Sequence, residues 1–267
     1  MLKVSSVKTA RWWWLLLASF AVGLVALAPA VLVERATNDA STASAVQARF
    51  VAESGTIWKG RGRIIVSSAA SPVVIPFGWR FDPLSLFALR LGFFVDTGSP
   101  SLTGVAHLGI GFRDVELRGA TIDADARLLS IAHNAAALFA PTGRIRIVQA
   151  GDERFLVRPA SSSTEAWRVD GPLSLNANQF AMGGAINVPT GDHEFKLRGE
   201  GSVINVTVLR STGPLKLEGA GTLALAAPRR FTFSGFATAA ADAPPGLKQL
   251  GPVMADGRQR IELNTAW

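Results

Sequence analysis

The sequence contains no cysteine and no tyrosine, and only 18% of its 267 residues are charged. The lack of cysteine excludes a disulfide framework, a thiolate zinc site and a cysteine nucleophile. The low charge and the mean hydropathy of +0.27 exclude a disordered chain, and they are unusual for a wholly soluble protein. A membrane segment is therefore the first feature to look for.

An uncharged apolar run occupies residues 12–33. As a helix it would be about 33 Å long, enough to cross a hydrocarbon core of ~30 Å. Basic but no acidic residues precede it, so we expect residues 1–11 in the cytoplasm and the bulk of the chain outside it. The alternative is a cleaved signal peptide, because residues 28–30 read Ala-Pro-Ala, but the run is long for one. In a Gram-negative cell the far side is the periplasm, which suits a chain without cysteine.

The remainder of the chain predicts an all-β domain. Residues 34–49 are small and polar and indicate a linker. Residues 50–267 consist of short alternating segments separated by turn residues at intervals of roughly ten. This pattern is typical of an antiparallel meander, which we expect to form a curled sheet or half-barrel. Residues 123–140 have helical character, and residues 244–254 are too short and too rich in Pro and Gly for more than a helical turn or two. Both stretches would suit the plugging of one end of the sheet.

The sequence shows no catalytic or metal-binding pattern. His107, His133 and His193 are far apart, and we interpret them as packed or exposed strand residues. There is no G-x-S-x-G elbow and no phosphate loop. Residues 1–33 carry +3 of the net charge of +7, so the exported part has only a mild basic excess, which does not suggest nucleic acid. We therefore predict a protein that is not an enzyme and has no cofactor.

Pairs of arginines at alternate positions are the most distinctive charged feature. Arg61 with Arg63, and Arg144 with Arg146, should project from one face of a strand. They are either the solvated face of a sheet or a contact surface for acidic partners or anionic lipid headgroups.

Three motifs together resemble the type II secretion system protein N family. After the apolar run comes GTIWKGRG at residues 55–62, and then WRFDPL at residues 79–84. The C-terminal part has a glycine-punctuated meander, GAGTLALAAPRRFTFSGFATAA, followed by LKQLGPVMADGRQRIEL. The resemblance implies a non-enzymatic, single-pass inner-membrane component of the machine that exports folded proteins from the periplasm. It also implies contacts with other inner-membrane and periplasmic components of that machine.

The family motifs have a structural interpretation. We expect Gly55 and Gly60 to flank a strand segment in which Trp58 faces opposite to Ile57 and anchors the strand. Trp79 should hold the fold together, and Pro83 should end or bend a strand. The candidate structural or interaction residues are Gly55, Thr56, Trp58, Gly60, Trp79, Pro83, Gly235, Asp256 and Gly257.

The alternative hypothesis is a periplasmic lipid-binding or lipid-transport protein with the AsmA-like or LptC-like architecture. In that architecture a curled sheet leaves an apolar groove for acyl chains. Segments such as TLALAA and VVIPFGWRF are apolar on both faces, and such strands need cover on each side. A closed core would favour the secretion component, and an open apolar groove would favour lipid transport.

Overall fold

The computed structural model describes residues 27–32, 34, 48–66, 72–132, 140–149, 153–160, 166–183 and 188–266. Most of the predicted transmembrane segment at residues 12–33 lies outside these ranges, as do residues 1–11. Within the described part of the chain, no helix is long and apolar enough to cross a membrane.

One antiparallel sheet of fourteen strands dominates the described residues, which confirms the prediction of an all-β antiparallel protein. The strands are β1 Ala48–Gly55, β2 Lys59–Val66, β3 Val73–Asp82, β4 Leu91–Gly98, β5 Leu102–Ile110, β6 Val115–Asp125, β7 Thr142–Val148, β8 Arg154–Arg158, β9 Arg168–Met182, β10 Val188–Gly201, β11 Val203–Thr212, β12 Leu215–Ala224, β13 Arg230–Ala239 and β14 Gln259–Ala266. The sheet begins at Ala48, so the last residues of the predicted linker already belong to β1.

The strands follow one another across the sheet as a meander, with β1 and β14 at its two edges. The exception is β7 and β8, which share one position between β6 and β9. The first part of β6 pairs with β8 and the second part pairs with β7. Short hairpin connections suffice for antiparallel neighbours, which explains why turn residues recur so often in the sequence.

The helical elements within the described ranges are short. The 3₁₀ helices span Pro83–Ala88, Ala126–Leu128 and Pro245–Gln249, and an α-helix spans Leu129–Ala132. The predicted helical stretch at 123–140 was wrong at its start, because Asp123 to Asp125 still pair with β7 as part of β6. Residues 133–139, including His133, lie outside the described ranges. The second stretch, for which we expected no more than a helical turn or two, forms the single turn Pro245–Gln249, which confirms that prediction.

The sheet has two chemically different faces, because directly paired residues of neighbouring strands share a face. We call them the polar face and the apolar face. The polar face includes Lys59, Arg61, Arg80, Asp96, His107, Glu116, Arg118, Asp123, Arg146, Lys196 and Glu262. The apolar face includes Phe50, Ile64, Phe77, Trp79, Phe93, Leu117, Ile145, Leu175, Val206, Leu223, Phe233 and Ile261. Among the paired strand residues that the structure describes, none on the apolar face is Lys, Arg, Asp or Glu.

The large buried apolar side chains of the strands lie on parts of the apolar face. Leu215 and Ala237 form a buried cluster with Ala243 and with Leu247 of the Pro245–Gln249 helix, which covers one end of β12 and β13. Elsewhere most large side chains of the apolar face, such as Phe93, are only half-buried. The apolar face is therefore partly open over much of the sheet.

Candidate functional site

The first family motif forms the turn between β1 and β2, so the expected strand segment across Thr56 to Trp58 was wrong. Gly55 has φ +99°, a conformation that L side chains rarely adopt. The Thr56 hydroxyl accepts hydrogen bonds from the backbone N–H groups of Trp58 and Lys59, both at 3.3 Å. This local bonding competes with strand pairing and turns the chain. The Trp58 ring then packs edge-on against Phe81, with centroids 4.8 Å apart.

Trp79 and Gly60 form one close contact on the apolar face. Trp79 is 9% exposed, and its indole N–H lies 3.2 Å from both the Thr56 and the Ile57 carbonyl oxygens. A Cβ on Gly60 would stand 2.4 Å from the Trp79 ring and 2.6 Å from the Ser54 carbonyl oxygen. The glycine is required by this close approach, and the pair fixes the motif turn against β3.

Pro83 is the first residue of the 3₁₀ helix that follows β3. Asp82 caps this helix by accepting a hydrogen bond from the Leu84 N–H at 3.1 Å. The other carboxylate oxygen of Asp82 lies 3.0 Å from His107 Nε2. Pro83 therefore ends a strand, and the adjacent carboxylate links the start of the helix to β5.

The C-terminal motif residues also have structural contacts. A Cβ on Gly235 would stand 2.1 Å from the Glu218 carbonyl oxygen, so this position of β13 admits only glycine. Asp256 and Gly257 form a tight turn before β14, in which Gly257 has φ +81°. Hydrogen bonds from the backbone and then the side chain of Arg258 lower the pKa of Asp256. The Arg258 guanidinium lies over the Phe236 ring at 4.3 Å, which ties this turn to the polar face.

Both predicted arginine pairs lie on the polar face, but the structure does not bring the two pairs together. Within each pair, one arginine is engaged: Arg63 pairs with Glu53 at 3.4 Å, and Arg144 pairs with Asp123. Arg61 and Arg146 are exposed and form no ion pair among the described residues. Each pair thus leaves one cationic side chain available to solvent.

Two neighbouring depressions on the polar face have a basic lining. One, of about 600 Å³, is lined by Lys59, Arg61, Arg80, Phe94 and Asp96 among others. The second, of about 820 Å³, shares Arg80, Phe94 and Asp96 with it and continues to Arg118 and Arg154. The Arg80 guanidinium lies 5.3 Å from the centre of the Phe94 ring. Arg61 thus belongs to a larger basic surface, which could accept acidic groups.

A buried carboxylate that the sequence did not predict lies on the polar face. Glu116 is 1% exposed and forms ion pairs with Arg90, Arg118 and Arg154. Burial alone would raise its pKa, but the hydrogen bond and charge of Arg118 and the charges of Arg90 and Arg154 outweigh it and lower the pKa. The alternation of Glu116 and Arg118 was visible in the sequence, but Arg90 and Arg154 come from distant segments.

His193 is, with Glu116, one of the two buried titratable side chains among the described residues, and it lies on the apolar face. It is 4% exposed, with Nδ1 2.8 Å from the Ser211 hydroxyl and Nε2 3.1 Å from the Thr190 hydroxyl. Burial lowers its pKa, and the charge of Asp192 opposes this shift. With two hydroxyl partners in a packed strand, His193 has the structural role expected for it. Across the described residues, no group of histidine and carboxylate side chains could hold a metal ion.

The comparisons with known proteins identify the family. The family model for type II secretion system protein N matches residues 46–262, which contain the strands from β1 into β14 and the three motifs described above except the final Leu263. No curated protein and no solved structure matched the chain. Because the family model covers most of the sequence, the chain belongs to the type II secretion system protein N family.

Proposed function

We propose that the protein is a non-enzymatic, single-pass inner-membrane component of the type II secretion system. In this proposal residues 12–33 cross the membrane, residues 1–11 are cytoplasmic and the sheet is periplasmic. The sheet acts as a scaffold or accessory surface for other inner-membrane and periplasmic components. The family match over residues 46–262 is the observation that carries the proposal.

The polar face supplies a contact surface of defined chemistry. Lys59, Arg61 and Arg80 line the same depression, and Asp96 is the only carboxylate among the described residues that line it. Exposed basic side chains around an aromatic ring favour an acidic, partly apolar partner surface. Since exposed charges contribute little to folding, their replacement should change partner binding more than it changes stability.

Site-specific crosslinking on the full chain in its own cells tests this role. A photoreactive residue replacing Arg61 should capture other secretion components, and one replacing Thr207 on an exposed part of the polar face near β12 serves as a position control. The double variant Arg61→Gln and Arg80→Gln should reduce secretion and co-purification of those components. The matched variant Arg63→Gln removes an arginine that already pairs with Glu53 and should have a smaller effect.

Two results would contradict the proposal. Co-purification of lipid-export proteins alone would contradict membership of the secretion machine. Equal secretion in the Arg61/Arg80 variant, the Arg63→Gln variant and the wild type would exclude the basic depression as the contact surface.

The apolar face supports a second candidate function, the binding or transport of lipid. Its paired strand positions carry no charged residue among those described, and most of its large side chains remain half-buried. A sheet face of this kind needs cover from protein, a partner or lipid. Acyl chains need no hydrogen bonds and would fit an uncharged surface that extends across many strands.

A photoreactive phospholipid supplied to cells distinguishes the two functions. If lipid occupies the apolar face, adducts should map to Leu223 and Phe233 and should be absent from their polar-face neighbours Thr222 and Ser234. Because successive side chains of a strand point to opposite faces, Thr222 and Ser234 serve as internal controls and no substitution is needed. Adducts spread equally over both sets, or absent from both, would remove the lipid hypothesis.

A further inference from the structure

One end of the sheet displays a concentration of exposed apolar side chains. The β1–β2, β3–β4 and β5–β6 turns all lie at this end, because Gly55 pairs with Gly60, Asp82 pairs with Gly92, and Ile110 pairs with Val115. We call it the Gly55 end. Its most exposed large apolar residues are Leu84 at 72%, Phe87 at 90%, Leu89 at 82% and Phe112 at 100%, with Leu86, Leu91 and Ile110 between 43% and 49%.

The apolar side chains of this end project from a fixed platform. The Pro83–Ala88 helix and Leu89 contain no charged residue. The Ser85 hydroxyl accepts a hydrogen bond from the Gly92 N–H at 2.6 Å, and a Cβ on Gly92 would stand 2.5 Å from Ser85. Leu89 adopts φ +55°, a strained conformation for a branched side chain, although its side chain packs little. Packing and backbone preference therefore do not account for the leucines and phenylalanine at this end.

The N-terminal part of the chain meets the sheet at the same end. The Ile57 N–H donates to the Ala28 carbonyl at 3.0 Å, and the Ala30 N–H donates to the Gly55 carbonyl at 3.3 Å. Glu34 lies farther along β1, where its carboxylate accepts a hydrogen bond from the Ala52 N–H. From Ala28 toward Leu27, the chain thus runs beyond the Gly55 end. Leu27 is itself 76% exposed, and residues 12–26 before it carry no charge.

Two further features fit a surface that faces lipid. Trp167 precedes β9 at the same end and is 44% exposed, and tryptophan is enriched at membrane interfaces. Arg113 stands beside Phe112, exposed and without an ion pair among the described residues, where it could meet a phosphate. Toward the opposite end of the strands, the exposed large apolar residues among those described are Val74, Leu129, Leu209, Leu250, Val253 and Met254, none of them aromatic.

From these observations we infer that the Gly55 end docks on the surface of the lipid bilayer. The Pro83–Leu89 segment and Phe112 would enter the interface, and Arg113 would contact anionic headgroups. Contiguous apolar patches on soluble monomers are rarely large, and this one adjoins the point where an uncharged apolar run joins the sheet. The inference builds on the inner-membrane location in the proposed function, and it adds a second membrane contact made by the sheet itself.

The absence of cysteine makes the full chain a host for single-site probes. The variants Phe87→Cys and Phe112→Cys, each labelled with an environment-sensitive fluorophore, are reconstituted into vesicles of phosphatidylethanolamine and phosphatidylglycerol. The matched control is Thr103→Cys, an exposed residue at the opposite end of β5. We expect blue-shifted emission at positions 87 and 112 and strong quenching by spin-labelled lipids about 5–10 Å below the headgroup boundary. Position 103 should behave as in water.

Emission at positions 87 and 112 equal to that at position 103 would overturn the inference. The inference would also be overturned if the probes became shielded from water only after other secretion components were added, because a protein and not lipid would then cover the patch. A separate measurement tests whether residues 12–33 anchor the protein in the bilayer: an anchored protein should stay with the vesicles through an alkaline wash. Unquenched probes on retained protein overturn the docking inference alone, and quenched probes on protein that washes off overturn the anchor alone.

Discussion

The polar face and the apolar face of the single sheet differ in which side chains they expose and in what those side chains contact. On the polar face charged residues are exposed or neutralise one another, as Glu116 does with three arginines. On the apolar face, uncharged side chains are half-buried and glycines such as Gly60 allow close packing. The difference shows that the polar face can be satisfied by water and ion pairs, whereas much of the apolar face still requires cover.

The largest effect should come from adding a methyl group to the apolar face at the family motif. Gly60→Ala forces a Cβ into the Trp79 ring and the Ser54 carbonyl, and we expect a loss of about 3 kcal/mol in the free energy of unfolding. Gly98→Ala is the matched control, because no atom lies within 4 Å of the added carbon. Urea unfolding followed by far-UV circular dichroism measures both. Equal midpoints for the two variants would show that the motif glycine is not required for packing.

A charge placed on either face should sharpen the contrast. Val206 and Thr207 are neighbours on β11, with Val206 on the apolar face and Thr207 exposed on the polar face. We expect Val206→Asp to lower the free energy of unfolding by about 2–3 kcal/mol, because a half-buried carboxylate there has no cationic partner. Thr207→Asp should change it by less than about 0.5 kcal/mol. Similar losses in the free energy of unfolding for both variants would mean that the two faces are equally accessible to water.

The same contrast explains what the sequence could predict. Alternation and turn residues are local signals, so the antiparallel meander was predictable from them. The error at Thr56 arose because Ile57 and Trp58 have the composition of a strand, while the Thr56 hydroxyl and the positive φ of Gly55 turn the chain. The Glu116 cluster was not predictable, because its arginines come from three separate segments. Only the pairing of β4 with β5, of β5 with β6 and of β6 with β8 brings them together.

Removal of the buried charge tests the polar face. Glu116→Gln keeps the side-chain shape but leaves Arg118 and Arg154 without a carboxylate and Arg90 with Asp114 alone, and we expect a loss of about 2 kcal/mol. The arginines are between 20% and 59% exposed, so water compensates for part of the loss. Glu262→Gln, which breaks an exposed pair with Arg260, is the control and should cost less than about 0.5 kcal/mol.

The pH dependence of the Glu116 contribution has a definite sign. Its pKa in the folded protein lies below its ordinary value of 4.5. The stabilisation is therefore complete above pH 4.5 and is lost as the pH falls through the folded pKa. The difference in stability between the wild type and Glu116→Gln should shrink with acid. A difference that stays constant from neutral to acidic pH would mean that the charge of Glu116 does not contribute.

The smallest effect concerns His193, the titratable group of the apolar face. Its ring contacts the hydroxyls of Ser211 and Thr190, which also lie within hydrogen-bond distance of the Leu215 and Phe180 carbonyls. These are four hydrogen-bond contacts. A neutral histidine ring carries one N–H and each hydroxyl carries one hydrogen, so only three hydrogens are present for the four contacts. Protonation would supply the missing hydrogen, but burial lowers the pKa of His193 despite the opposing charge of Asp192.

Because burial lowers the pKa of His193 in the folded protein, the His193 ring binds a proton more tightly in the unfolded chain than in the folded protein. The stabilisation associated with neutral His193 should be complete above pH 6.5 and should be lost as the pH falls from 6.5 through the folded pKa. His193→Gln should remove this dependence between neutral and mildly acidic pH, as measured by urea unfolding. Ser211→Ala removes a partner but not the titrating group, so it should lower stability and keep the dependence. If His193→Gln shows the same acid loss as the wild type, the hydroxyl partners satisfy the protonated ring well enough to cancel the effect of burial.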